Sequence, residues 1–194
     1  MHRDSPTREC KLTNTSNRLH YLSMMENTTR RRVARALRAG GPEVLEVGFE
    51  DLAPLKAGEV LVRVEATGLN HAERLIRSGT YSIRFPFPYA VGLEGAGTVE
   101  AVGPAATLAP GTRVCWTAVF GSCANFVVAP ASMLAPLPGS LSFEDGASLA
   151  HGAVTAAGLV RHCPLDEGST AVVWGAAAPW VCCSWPSCPI AESK

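Results

Sequence analysis

The hydrophobic period of this chain changes once, near residue 140, and that change limits the folds open to it. Before it, apolar residues come in short runs cut by Gly and Pro. VARALRA, Gly40-Gly41-Pro42 and VLEV read as a hairpin. Gly58 opens EVLVRVEATG, which alternates with period two. Val60, Val62 and Val64 are expected on one face, and Leu61, Arg63 and Glu65 on the other. NHAERLIRS at 70–78 predicts a short helix with Asn70 as N-cap and Gly79 as its stop. FPFPYAVG reads as a rigid proline loop, and GTVEAVG, TRVCWTAV and NFVVA as further strands. Many short strands with such punctuation predict a small, irregular β-barrel.

After residue 140 the pattern is helical. FEDGASLAHGAVTAAGLVRH predicts one or two Ala/Gly-rich helices with acids in the first turn. STAVVWGAA is an apolar strand running into a small-residue turn at Gly175-Ala176-Ala177. Such a strand and turn, leading into a helix N-terminus, build an anion site from free backbone N–H groups. The predicted class is therefore mainly β with α: an irregular β-barrel, then an incomplete α/β segment.

Composition excludes several functions. The 17 basic and 17 acidic side chains balance, which argues against a broad nucleic-acid surface. The balance is a sum of unlike parts, since residues 1–38 carry a formal +6 and the remainder −6. No run of 18 apolar residues exists, so no membrane span is expected, and no apolar stretch makes a secretory signal. Seven cysteines at irregular spacing do not form a disulfide framework. Cys115 and Cys123 are expected as buried free thiols, and the expected compartment is the cytoplasm. His71, His151 and His162 have no evident partner in the sequence, and Arg74 and Arg77 read as a solvated helix face.

The motifs ALRAGGPEVLEV, GEVLVRVEATGLNHAE, RSGTY, GLEGAGTVEAVG, EDGASL and STAVVWGAA occur in this order. Over residues 33–178 the chain resembles the medium-chain dehydrogenase/reductase superfamily, in its zinc-independent quinone oxidoreductase branch. The resemblance implies a GroES-like catalytic domain at 33–140, followed at 141–177 by the start of an NADPH-binding Rossmann domain. It also implies a homodimer for the full-length family. Zinc-dependent members carry Cys where this chain has Asn70 and His where it has Leu93. Neither replacement suits zinc, and Glu94 alone does not hold it, so no metal is expected.

By the same resemblance, Asn70 and Tyr81 lie near the nicotinamide and the substrate. The Tyr81 hydroxyl would donate a proton or hydrogen bond to a carbonyl oxygen as hydride arrives. Thr155 would face the nicotinamide, and Gly175, Ala176 and Ala177 would receive the phosphates. Each of the three side chains also has a plain structural reading. Asn70 caps a helix, Tyr81 packs its ring in a loop, and Thr155 back-bonds within its helix.

Both ends differ from the middle. Residues 1–32 show no periodicity and read as a disordered basic leader, with Met24 or Met25 as an alternative start. After Ala177 the chain reads APWVCCSWPSCP, whose prolines forbid a continuous helix. Decoded one base out of register, the junctions Trp180–Val181, Cys182–Cys183 and Trp185–Pro186 give Gly, Leu and Ala. Those residues belong to a turn and an apolar helix start, so residues 178–194 are expected to be a frameshifted tail.

The leading function is NADPH-dependent reduction of a quinone or enone by hydride transfer, with the 194-residue chain itself expected to be inactive. An enoyl-thioester reductase and a non-catalytic GroES-like binding module are the alternatives. The helix at 143–162 and the strand after it are expected to expose apolar surface.

Overall fold

The described residues open on an antiparallel pair. β1 (Arg30–Ala36) and β2 (Leu45–Asp51) run in register from Arg30 opposite Asp51 to Ala36 opposite Leu45. A 3-10 turn at Pro42–Val44 joins them. The computed structural model describes residues 30–162 together with 168, 170 and 172. β1 starts at Arg30, three residues before the change of pattern at Val33. The arginines there are strand residues because β2 supplies acids opposite them. Arg30 pairs with Asp51 at 3.1 Å and Arg31 with Glu50 at 2.7 Å.

The main sheet has five strands in the order β7-β3-β5-β6-β8, every neighbouring pair antiparallel. β3 (Glu59–Thr67) and β5 (Gly95–Val102) form its centre. β6 (Arg113–Trp116), β7 (Phe126–Pro130) and β8 (Leu134–Pro136) complete it. The sheet curls into a half-barrel. A bridge between Val33 and Ala124 ties the β1–β2 pair to it, with the Ala34 N–H on the Cys123 carbonyl at 2.9 Å. The proline loop carries one short piece of order, β4 (Tyr89–Ala90), which pairs with the end of β1.

The core is branched and aliphatic. Val60, Val62, Val99, Val114, Val127, Ala129 and Leu134 pack around Trp116. The Trp116 indole N–H donates to Ser122 Oγ at 2.8 Å, and that hydroxyl donates to the Val119 carbonyl at 2.6 Å. The alternation expected for β3 holds only in its second half. Leu61 is buried along with Val60 and Val62, and Val64 is half-buried. β3 lies between two strands, and two register shifts against β5 rotate its faces.

Two helices complete the described residues. α1 (His71–Ser78) follows β3 and stops at Gly79, whose φ of 75° makes the left-handed cap that glycine accepts without strain. α2 (Phe143–His162) is one continuous helix of 20 residues and packs on β3, β5 and β6. Its small residues permit this approach, with Ala147 buried against Ala96 and Leu137. No helix among the described residues is long and apolar enough to cross a membrane.

Candidate functional site

One connected group of polar side chains lies where β3 and β5 meet the two helices. Asn70 opens α1 in a capping box with Glu73, whose carboxylate accepts the Asn70 backbone N–H at 2.8 Å. The Asn70 side chain reaches further. Its Nδ2 donates to Glu94 Oε1 at 2.6 Å. Glu94 sits just before β5, is 3% exposed, and is held by two donors from different elements. Its other oxygen, Oε2, accepts the backbone N–H of His151 in α2 at 3.0 Å. Gly68 lies so close that a Cβ there would overlap Glu94 Oε1, so the carboxylate occupies space only glycine leaves open.

His151 is the second node. Its Nδ1 lies 3.0 Å from Thr117 Oγ1, beyond the end of β6, and its backbone carbonyl accepts from Thr155 Oγ1 at 3.0 Å. A continuous path thus runs from Asn70 through Glu94 and the His151 backbone to Thr155. It joins residues on separate helices that lie far apart in the sequence.

Burial shapes the protonation of the groups nearby. It pushes the Glu73 carboxyl above its ordinary value of 4.5, against backbone hydrogen bonds from Asn70 and Gly92, and the Glu94 charge adds to the rise. Burial also raises the Cys123 thiol, opposed by its contact with Thr67 and reinforced by the Glu73 charge. Cys115 is raised by burial alone. Both are free thiols, half-buried rather than fully enclosed as expected. A raised thiol holds less of the nucleophilic thiolate.

Tyr81 stands at the other end of α1 from Asn70, roughly 12 Å away along an eight-residue helix. Its backbone N–H closes the helix end on the Leu75 carbonyl at 3.1 Å. Its ring lies 6.3 Å from that of Phe85, in an aromatic group with Phe87, Tyr89 and Phe120. Beside it is a pocket of about 340 Å³ lined by Ala39, Ile76, Tyr81, Ile83, Phe85 and Phe87 among others. Gly79 and Arg84 complete the lining, so the pocket is mostly apolar with one cation.

The structure thus links Asn70 and Thr155 and leaves Tyr81 in a separate aromatic wall. Asn70 does cap its helix and Thr155 does back-bond, and neither act uses up the side chain's hydrogen-bonding capacity. Gly175, Ala176 and Ala177 lie outside the described residues, as do the leader up to residue 29 and residues 178–194. His151, without a partner in the sequence, has three. Arg77 is not a purely solvated residue, because it reaches back to the Gly40 carbonyl at 3.4 Å. Sequence reasoning treats Glu94 only as a metal ligand and misses its role as an acceptor for Asn70 and His151. The signal for that role is a carboxylate set between apolar residues and glycines in GLEGAG.

A curled antiparallel half-barrel, a helix seated across it and a connected hydrogen-bonding site at their junction make up a GroES-like domain. Residues 56–162 match the model of the alcohol dehydrogenase GroES-like domain, and the chain belongs to that family, within the medium-chain dehydrogenase/reductase superfamily. Quinone oxidoreductases are among the proteins it is similar to. That of Mus musculus is 39% identical over 121 residues, covering 61% of this chain and 37% of its own length. The solved quinone oxidoreductase of Pseudomonas syringae pv. Tomato DC3000 is 35% identical with a TM-score of 0.71, over 79% of this chain and 48% of that one. The Escherichia coli quinone oxidoreductase solved with NADPH is 30% identical with a TM-score of 0.63, over 67% and 40%. The chain spans less than half the length of these relatives.

Proposed function

We infer that this chain supplies the catalytic barrel of an NADPH-dependent reductase acting on a quinone or an α,β-unsaturated carbonyl. The observation that carries the reading is the path from Asn70 through Glu94 and His151 to Thr155. It ties an uncharged amide and an uncharged hydroxyl to one enclosed carboxylate, and the group these two would serve, a nicotinamide carboxamide, is itself neutral. NADPH fits these groups: Asn70 keeps a second amide N–H to donate, and Thr155, exposed on α2 with its hydrogen on the His151 carbonyl, keeps lone pairs to accept. When bound, NADPH supplies the hydride. The protein's part is to orient the ring, through Asn70 and Thr155, and to hold a flat substrate against the aromatic wall. The Tyr81 hydroxyl has no hydrogen-bond partner among the described residues, so it is available to donate to the substrate carbonyl oxygen. The NADPH complex of the Escherichia coli relative supports the choice of cofactor. The domain division at residue 140 belongs to the same reading, with α2 as the first element of the cofactor-binding part.

A chimera tests it. Residues 30–162 are exchanged for the matching segment of the Pseudomonas syringae relative, and NADPH oxidation is followed with a quinone, an enone and an enoyl thioester. Quinone or enone turnover that Tyr81→Phe and Asn70→Ala each reduce is expected. Turnover of the thioester alone would make the chain an enoyl-thioester reductase. A folded chimera that binds NADPH and reduces none of the three would leave the binding-module reading standing.

A further inference from the structure

We propose that Glu94 is the positioning residue of this site, an anionic clamp that sets the α1 entrance and α2 relative to each other. Three observations converge on it. It is the one charged residue among the buried side chains of the described core, at 3% exposure. Its two oxygens take donors from separate elements, the Asn70 amide at 2.6 Å and the His151 backbone N–H at 3.0 Å. The fold leaves room for it by placing glycine at position 68.

An ionised carboxylate only accepts hydrogen bonds. It therefore selects the NH2 end of the Asn70 amide and excludes the oxygen end. It also takes a backbone N–H from within α2, fixing the helix at the turn that carries Thr155. Hydrogen bonds to a buried charge are stronger and shorter than neutral ones, so this contact holds the junction more tightly than an amide pair would. Glu94 itself touches no ligand. It acts through Asn70 and through the placement of α2.

The proposal rests on the reading of Asn70 and Thr155 as nicotinamide-side residues, but the clamp is measured without cofactor. A failed chimera assay overturns that reading and leaves the clamp intact.

The test is a reciprocal exchange in the full chain. Asp caps a helix as well as Asn, so Asn70→Asp leaves the start of α1 satisfied. It also sets two carboxylates face to face, the introduced one and that of Glu94. Exchange of the His151 backbone amide, read by NMR, is expected to quicken about tenfold or more. Adding Glu94→Gln turns the pair round: the introduced amide donates to the introduced carboxylate and accepts the His151 N–H. Exchange is then expected to return to within about threefold of the parent chain. Where Asn70→Asp does not fold, Glu94→Gln alone gives a second readout. The Asn70 side-chain amide proton, displaced downfield by the charged acceptor, is expected to move upfield. Asn70→Asp behaving like the parent, a double variant no better than the single, or an unmoved Asn70 amide proton would each overturn the clamp.

Discussion

Glu73 and Glu94 are neighbouring carboxylates in different circumstances. Glu94 is enclosed and accepts from Asn70 and His151. Glu73 accepts the Asn70 backbone N–H at 2.8 Å, and burial raises its carboxyl. A carboxyl whose value is higher in the folded chain binds more protons there than in the unfolded one. Its contribution to stability is therefore fully present below 4.5 and is lost as pH rises through the folded value. Glu73→Gln keeps an acceptor for Asn70 and removes the titration. The variant is expected to have the higher urea midpoint at neutral pH, with the difference closing as pH falls toward the ordinary carboxyl value of 4.5. A gap that widens on acidification would contradict the buried-carboxyl account. Asn70 as a helix start is legible at this scale, because capping is local. Its bond to Glu94 is not, since 24 positions separate the two and no local pattern encodes a contact across a strand.

Among elements, α2 shows how a start signal and a packing face divide the work. Ser142 Oγ accepts the Asp145 backbone N–H at 3.0 Å, and Asp145 Oδ2 accepts from the Ser142 hydroxyl and backbone at 2.8 and 3.1 Å. The Ser142 side chain, and then its backbone N–H, hold the Asp145 carboxyl below its ordinary value. Removing one half of this box by Ser142→Ala is expected to destabilise the chain by about 1 kcal/mol, measured as a lower urea midpoint at unchanged slope. The acids after Ser142 make the helix start readable in the sequence. That it is one helix and not two is decided by the sheet beneath it, because Gly146 and Ala147 pack closely against Ala96 and Leu137. The same holds for β4. Two residues after a proline loop carry no strand signal, and they pair only because the end of β1 lies beside them.

The whole molecule leaves apolar surface uncovered. Leu149, Val154, Leu159 and Val160 are each at least 40% exposed along α2, the apolar exposure expected for a helix at the start of an incomplete α/β segment. β2 adds a second patch from Leu45, Val47 and Phe49, which alternate outward along the strand. Contiguous surface of this kind promotes association. Val154→Glu with Leu159→Glu is expected to raise the monomer fraction in sedimentation velocity and to lower binding of an apolar dye, with little change in melting temperature. Equal dye binding before and after would place the sticky surface on β2 instead.

Apart from β4 and β8, the order of strands, the barrel class, the helix starts and the family resemblance were determined by the sequence, through alternation, punctuation and motif order. These are short-range properties, written within a turn or a strand. The tertiary structure decided which polar groups share a site. Glu94 reads as an isolated acid in a glycine-rich stretch, and only the closing of β3 against β5 and of α2 over both brings two donors to its oxygens. Burial then makes those contacts obligatory, because a carboxylate removed from water must be paired. Long-range closure, rather than any local preference, turned Asn70, Glu94, His151 and Thr155 into one connected site.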